Sequence, residues 1–137
     1  MREFVSLRAK NLKPSGIRKF FDMASERKDV ISLGVGEPDF ITPWVIRDAG
    51  IKTVQKGYTQ YTSNKGVLAL REEISAYLKS RFNVNFSAEE TVITVGASEA
   101  IDATLRAVAD EGDEILVPDP AYVSYAPCIS LAGGVPV

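Results

Sequence analysis

The sequence predicts an α/β fold with a mostly parallel sheet, and three stretches carry that prediction. The first spans residues 91–117. Thr91-Val92-Ile93-Thr94-Val95 has the β-branched composition of a buried strand. Gly96-Ala97-Ser98 breaks it, and Ile101, Leu105 and Val108 then follow at helical spacing, with Glu99 and Asp102 in the first turn. Glu111-Gly112-Asp113 stops that helix, and a second apolar run, Glu114-Ile115-Leu116-Val117, ends in Pro118-Asp119-Pro120. Strand, tight turn, helix and strand within about 30 residues form a βαβ unit, which predicts parallel strands. The second stretch is the strand-like run 30–35, and the third is Val135-Pro136-Val137, which opens a further strand after a helix.

Taken in order, residues 1–13 mix Phe4, Val5, Leu7 and Leu12 with Arg2, Arg8, Lys10 and Lys13. They read as a solvated lead-in or as an arm that lies on a partner subunit. Pro14-Ser15-Gly16 starts a helix whose stripe is Ile17, Phe20, Phe21 and Ala24. The run 30–35 enters Gly36-Glu37-Pro38-Asp39-Phe40, where Gly34 and Gly36 permit close backbone approach. No third glycine follows at dinucleotide spacing, so a strand and a proline turn explain the stretch locally. Thr42 caps and Pro43 opens a helix over 44–55, closed by Gly57. The polar loop 58–66 carries Tyr61, either as a contact surface or as an ordinary connection. A helix follows over 67–82, with Leu70, Ile74, Tyr77 and Leu78 inward and Arg71, Glu72, Glu73 and Lys79 outward. Residues 83–86 turn, 124–132 form a last helix despite Pro127, and Gly133-Gly134 ends it.

Composition bounds the chemistry. At 137 residues the chain can bury one core, and with 45% hydrophobic and 25% charged residues it is ordinary globular material. A net charge of -2 gives no reason to expect nucleic acid or an anionic membrane. The absence of histidine removes every His-dependent triad, base and metal site. Cys128 is alone, which excludes an intrachain disulfide and fits a reducing compartment. No apolar run reaches a membrane span and no signal-peptide core is present, so a soluble cytoplasmic protein is expected.

In open parallel sheets ligands sit beyond the carboxyl ends of the strands. Here one end offers Gly96, Ala97 and Ser98, whose free amides and helix dipole suit a phosphate. An ordinary N-cap serine explains the same pattern. The other end offers Tyr122, placed to stack on a flat heterocycle or to serve as a rim aromatic. A strand beginning at 135 has no room to pair and no helix to cover it. The carboxyl end is therefore expected to cut through a larger fold.

Several of these motifs resemble, in order, those of the class I/II aminotransferases, pyridoxal-phosphate enzymes of fold type I related to aspartate aminotransferase. They are residues 32–43, Tyr61 with Asn64 and Gly66, Leu70-Arg71, residues 95–100 and 118–122. The resemblance covers nearly the whole chain but only the amino-terminal part of such an enzyme. It implies a partial three-layer α/β/α fold. Residues 1–45 would form an arm and part of the small domain, and residues 46–137 the first part of the large cofactor-binding domain, truncated at its carboxyl end.

By that resemblance Gly96, Ala97 and Ser98 hold the phosphate of pyridoxal 5′-phosphate, Tyr122 stacks on its ring, and Gly36 lies near the substrate carboxylate. Tyr61 reaches the phosphate of the neighbouring subunit, which implies a homodimer at full length. Asp119-Pro120 resembles a bond that is cis in relatives. Glu99, where relatives often carry a neutral residue, is expected to point outward, away from the phosphate.

The Schiff-base lysine and the partner of the pyridine nitrogen are expected beyond residue 137. Lys10, Lys13, Lys19, Lys28, Lys52, Lys56, Lys65 and Lys79 read as solvated charges. The chain is thus expected to hold the cofactor's phosphate and ring but no catalytic residue and no metal, and to be inactive alone. The implied reaction moves an amino group between an amino acid and a 2-oxo acid. The alternatives are a related pyridoxal-phosphate lyase or a non-catalytic α/β fragment that binds phosphate or a partner.

Overall fold

The computed structural model of the protein describes residues 4–14, 16–26, 29–31, 36 and 38–137. Its helices are α1 (Leu7–Asn11), α2 (Gly16–Ser25), α3 (Trp44–Gln55), α4 (Leu68–Phe82), α5 (Gly96–Val108) and α6 (Tyr125–Ala132). A 3-10 turn covers Ala88–Glu90, and two strands, β1 (Glu114–Ile115) and β2 (Val135–Pro136), complete the described elements. The chain divides into two compact units, Met1–Ile31 with Thr94–Val137, and Ser32–Ile93.

In the first unit the sheet is parallel, with Glu114 opposite Val135 and Ile115 opposite Pro136. Val135 N donates to Asp113 O (2.8 Å), Val137 N to Ile115 O (2.9 Å) and Val117 N to Val137 O (2.8 Å). The expectation that a strand starting at 135 could not pair is corrected, because the run 113–117 lies beside it and α6 connects the two. Helix α6 tolerates Pro127 because a first-turn residue needs no helical amide bond. Gly133, at φ +104°, closes it in the left-handed region, and Ile129 within it is buried.

Residues 91–95 form no ladder among the described residues. Their one backbone bond to another segment runs from Ile93 N to Lys65 O (3.0 Å). The β-branched run is there, but the expected parallel pairing with residues 114–117 is not formed among the described residues. Helix α5 stops at Val108, before the turn at Gly112, and Val108 is exposed instead of joining Ile101 and Leu105 on the half-buried face. The lead-in of residues 1–13 contains α1, whose Ser6 Oγ accepts a bond from Ala9 N (3.2 Å). Helix α1 lies against α6, and Arg8 pairs with Glu111.

In the second unit, α3 begins one residue later than its proline suggested. Pro43 is the cap, its carbonyl accepting from Ile46 N (3.0 Å) and Arg47 N (3.2 Å), and Thr42 makes no cap bond. Helix α4 ends at Asn83, whose φ of 54° is left-handed, as asparagine permits. Arg71 corrects the expected face of α4. It is buried at 5% exposure, on the face it shares with half-buried Ile74, Ser75 and Leu78, while Leu70 and Tyr77 are exposed. Its guanidinium donates to Ala88 O and approaches Glu89 Oε1 at 3.4 Å, fixing the 3-10 turn to the helix. The strand expected at 30–35 lies mostly outside the described residues, as do Ser15 and Glu37.

Candidate functional site

The first unit brings two of the expected elements together at the start of α5. Gly96 has φ +77°, a conformation that favours glycine, and its amide folds back to Thr94 O at 2.9 Å. The Thr94 hydroxyl donates to Gly96 O (3.0 Å), holding the turn from both sides. Val95 is the cap residue, so Ser98 sits inside the first helical turn and is not the N-cap. Among the described residues nothing accepts a bond from the amides of Ala97 or Ser98, as expected of first-turn amides. Gly96, Ala97 and Ser98 are all exposed. This is a polar opening with two free donors at the positive end of a helix dipole.

Tyr122 completes it. The Tyr122 hydroxyl lies 3.0 Å from Ser98 Oγ, and its ring stands edge-on to Tyr125 at 5.6 Å and 82°. Half of Tyr122 remains exposed, leaving ring surface available to a ligand. The hydroxyls of Ser124 and Ser98 beside it favour the phenolate and hold the phenol below its usual range. Tyr122 is reached through Asp119-Pro120, which is cis. Ser124 and Tyr125 are additions to the expected site. The signal for them was present in Tyr122-Val123-Ser124-Tyr125, two phenols and a hydroxyl within four residues.

Glu99 does not point outward. Its carboxylate turns back to accept the Val95 amide. Val95 has no side-chain oxygen with which to cap the helix, so the glutamate one turn on satisfies the amide instead.

Tyr61 is fully exposed in the second unit, and Gly36 is exposed with open space where a Cβ would stand. Of the described lysines, Lys52 pairs with Asp48 (2.7 Å) and Lys79 with Asn83 Oδ1 (3.1 Å). Lys65 is only half-exposed, contrary to a solvated reading, because it binds Glu89 at both the carboxylate (2.9 Å) and the backbone carbonyl (3.0 Å). The hydrogen bonds of Ser98 and Tyr122 involve no lysine. No group of three or more acidic or cysteine side chains among the described residues could hold a metal, and no described helix is long and apolar enough to cross a membrane.

Comparison with known proteins gives these features a context. Residues 28–137 match the family described as aminotransferase class I and II. The whole chain is 51% identical to the putative aminotransferase YugH of Bacillus subtilis (strain 168) and spans 36% of it. Over 90% of its length it is 47% identical to the aspartate aminotransferase of Pyrococcus abyssi, spanning 32% of that protein. Among solved structures, the aspartate aminotransferase of Thermus thermophilus with maleate superimposes with a TM-score of 0.92 at 34% identity, all of this chain on 37% of that one. The chain thus spans about a third of the length of the curated relatives it matches.

Proposed function

This chain belongs to the aminotransferase class I and II family, and from that premise we propose that it supplies the phosphate-and-ring end of a pyridoxal 5′-phosphate site. The observation that carries the proposal is the 3.0 Å approach of the Tyr122 hydroxyl to Ser98 at the open start of α5. The residues present fit the cofactor. Two free amides and a hydroxyl suit a phosphate dianion, Gly96 keeps the backbone bare, and the exposed half of the Tyr122 ring offers a face to a pyridine. The Glu99 carboxylate is engaged by the Val95 amide, so its charge is partly compensated by a donor of the chain's own.

When bound, pyridoxal phosphate supplies the carbonyl carbon that takes up an amino group and the conjugated ring that withdraws electrons. What this chain contributes is binding and orientation. Ala97, Ser98 and the dipole of α5 anchor the anionic end, and Tyr122 fixes the tilt of the ring. The intact protein then moves an amino group between an amino acid and a 2-oxo acid, with Gly36 near the substrate carboxylate. Tyr61, fully exposed, is assigned to the phosphate of the second subunit of a homodimer. The same reading places the boundary between small-domain and large-domain segments at residues 45 and 46, the protein in the cytoplasm, and no nucleic acid or membrane among its partners. Because the chain spans about a third of the length of its aminotransferase relatives, the 137-residue polypeptide is inferred to be inactive unaided.

The test is to load the intact gene product with pyridoxal 5′-phosphate, remove free cofactor by gel filtration, and follow amino transfer from aspartate and from an aromatic amino acid to a 2-oxo acid. Retained cofactor and transfer, both reduced at least tenfold by Ser98→Ala, are expected. Release of an amine or thiol without amino transfer would favour the lyase alternative, and no cofactor retention would end the proposal.

A further inference from the structure

Ser98 and Tyr122 share one hydrogen bond between two hydroxyls, and which of them donates decides what the site can do. The phenol is far the stronger acid of the two, so the favourable arrangement has Tyr122 donating to Ser98 Oγ. That leaves the serine's own proton for a third group. Without the phenol, a serine in the first turn of a helix is free to rotate and donate to a carbonyl one turn back. The third group is then lost as an acceptor. The open space at Gly96 and the free amides of Ala97 and Ser98 set where that third group lies: an anion in front of α5.

We propose that Tyr122 is a positioning residue for the cofactor phosphate, acting through Ser98, in addition to presenting its ring. The inference rests on the assignment of this turn to pyridoxal phosphate and adds a separate role for the phenolic oxygen. A hydroxyl that accepts one bond is polarised to donate a stronger second one. Ring face and phenol oxygen therefore address opposite ends of one ligand. Stacking acts on the heterocycle whether or not it is phosphorylated, whereas the hydroxyl pair acts only on the phosphate.

That difference gives the test. Dissociation constants for pyridoxal 5′-phosphate and for pyridoxal are measured by calorimetry on the cofactor-free intact gene product. The proteins compared are wild type, Tyr122→Phe, Ser98→Ala, the double variant and Ser98→Thr. Tyr122→Phe keeps the ring, so pyridoxal affinity should stay within about twofold while the preference for the phosphorylated form falls about tenfold. In the Ser98→Ala background Tyr122→Phe should have no further effect on that preference, because its route to the phosphate is gone. Ser98→Thr, which retains a hydroxyl, should keep the preference. An unchanged preference in Tyr122→Phe, or effects of the two substitutions that simply multiply, would overturn the positioning role alone. A wild type that binds the two compounds equally would overturn the site assignment itself.

Discussion

Gly66 shows how one position can be fixed twice over. Its φ of +91° disfavours any side chain, and a Cβ built on it would stand 2.5 Å from Ile93 Cγ1. Gly66→Ala should therefore cost the left-handed penalty of about 1–2 kcal/mol plus the displacement of Ile93, lowering the urea midpoint without loss of the transition. The glycine was legible as the end of a loop, but its contact with Ile93, 27 positions on, was not.

Arg71 and Glu89 make the complementary case for charge. Among helical positions 70, 71, 74, 77 and 78, sequence hydrophobicity selects Leu70 and Tyr77, but the helix turns Arg71 inward with Ile74 and Leu78. Arginine at the i, i+3, i+7 phase of the buried face was the available signal. Lys65 first, then Arg71, holds the Glu89 carboxyl below its ordinary range. A depressed folded pKa contributes stability that is whole above the unfolded value and disappears as pH falls through the folded one. Acid titration of stability should therefore show a component below about pH 4.3 that Glu89→Gln removes. The same slope in wild type and variant would exclude that role for the Lys65–Glu89 pair.

At the scale of elements, helices were easier to read than strands. The bounds of α3 and α6 fall within a residue of their punctuation, since caps, proline and glycine act locally. Strands need partners, which one segment does not reveal. Residues 91–95 carry a strand's composition and form no ladder among the described residues, while the three-residue end at 135–137 pairs with β1. The pairing depends on Gly134, buried where a Cβ would meet Asp113 O and Ile129 Cγ2 at 3.1 Å and Ile115 Cδ1 at 3.2 Å. Gly134→Val cannot fit without pushing β2 from β1. Hydrogen exchange should then show faster exchange of the Val135 and Val137 amides, with the amides of α4 unaffected. The turn at Gly96, Ala97 and Ser98 was legible for a similar local reason, the small residues between a β-branched run and an amphipathic helix. The rule for open parallel sheets already set Tyr122, 24 residues away, at the neighbouring strand end, but its hydrogen bond to Ser98 was not legible.

For the whole molecule, the balance of apolar surface is the property that governs its behaviour. Ile129 is the one buried large apolar side chain among the described residues, whereas Val95, Leu116, Phe40, Ile41 and Trp44 are exposed by more than half. In the first unit a groove of about 430 Å³ runs between α5, β1 and α6, lined by Ile101, Leu105, Leu116, Val117 and Ile129 among others, nearly all apolar. Exposed apolar area is unfavourable by roughly 25 cal/mol per Å², so covering it is favourable whatever the covering group. The 137-residue polypeptide expressed by itself should consequently bind a hydrophobic dye and sediment as species larger than its 14.9 kDa monomer, increasingly so with concentration. Leu116→Glu places a charge on this groove from a position that is already 83% exposed, so it costs the unit little folding energy. It should reduce both dye binding and self-association. A chain that sediments as a monomer at all concentrations and binds no dye would show that its apolar faces are covered in solution, contrary to the exposure found here.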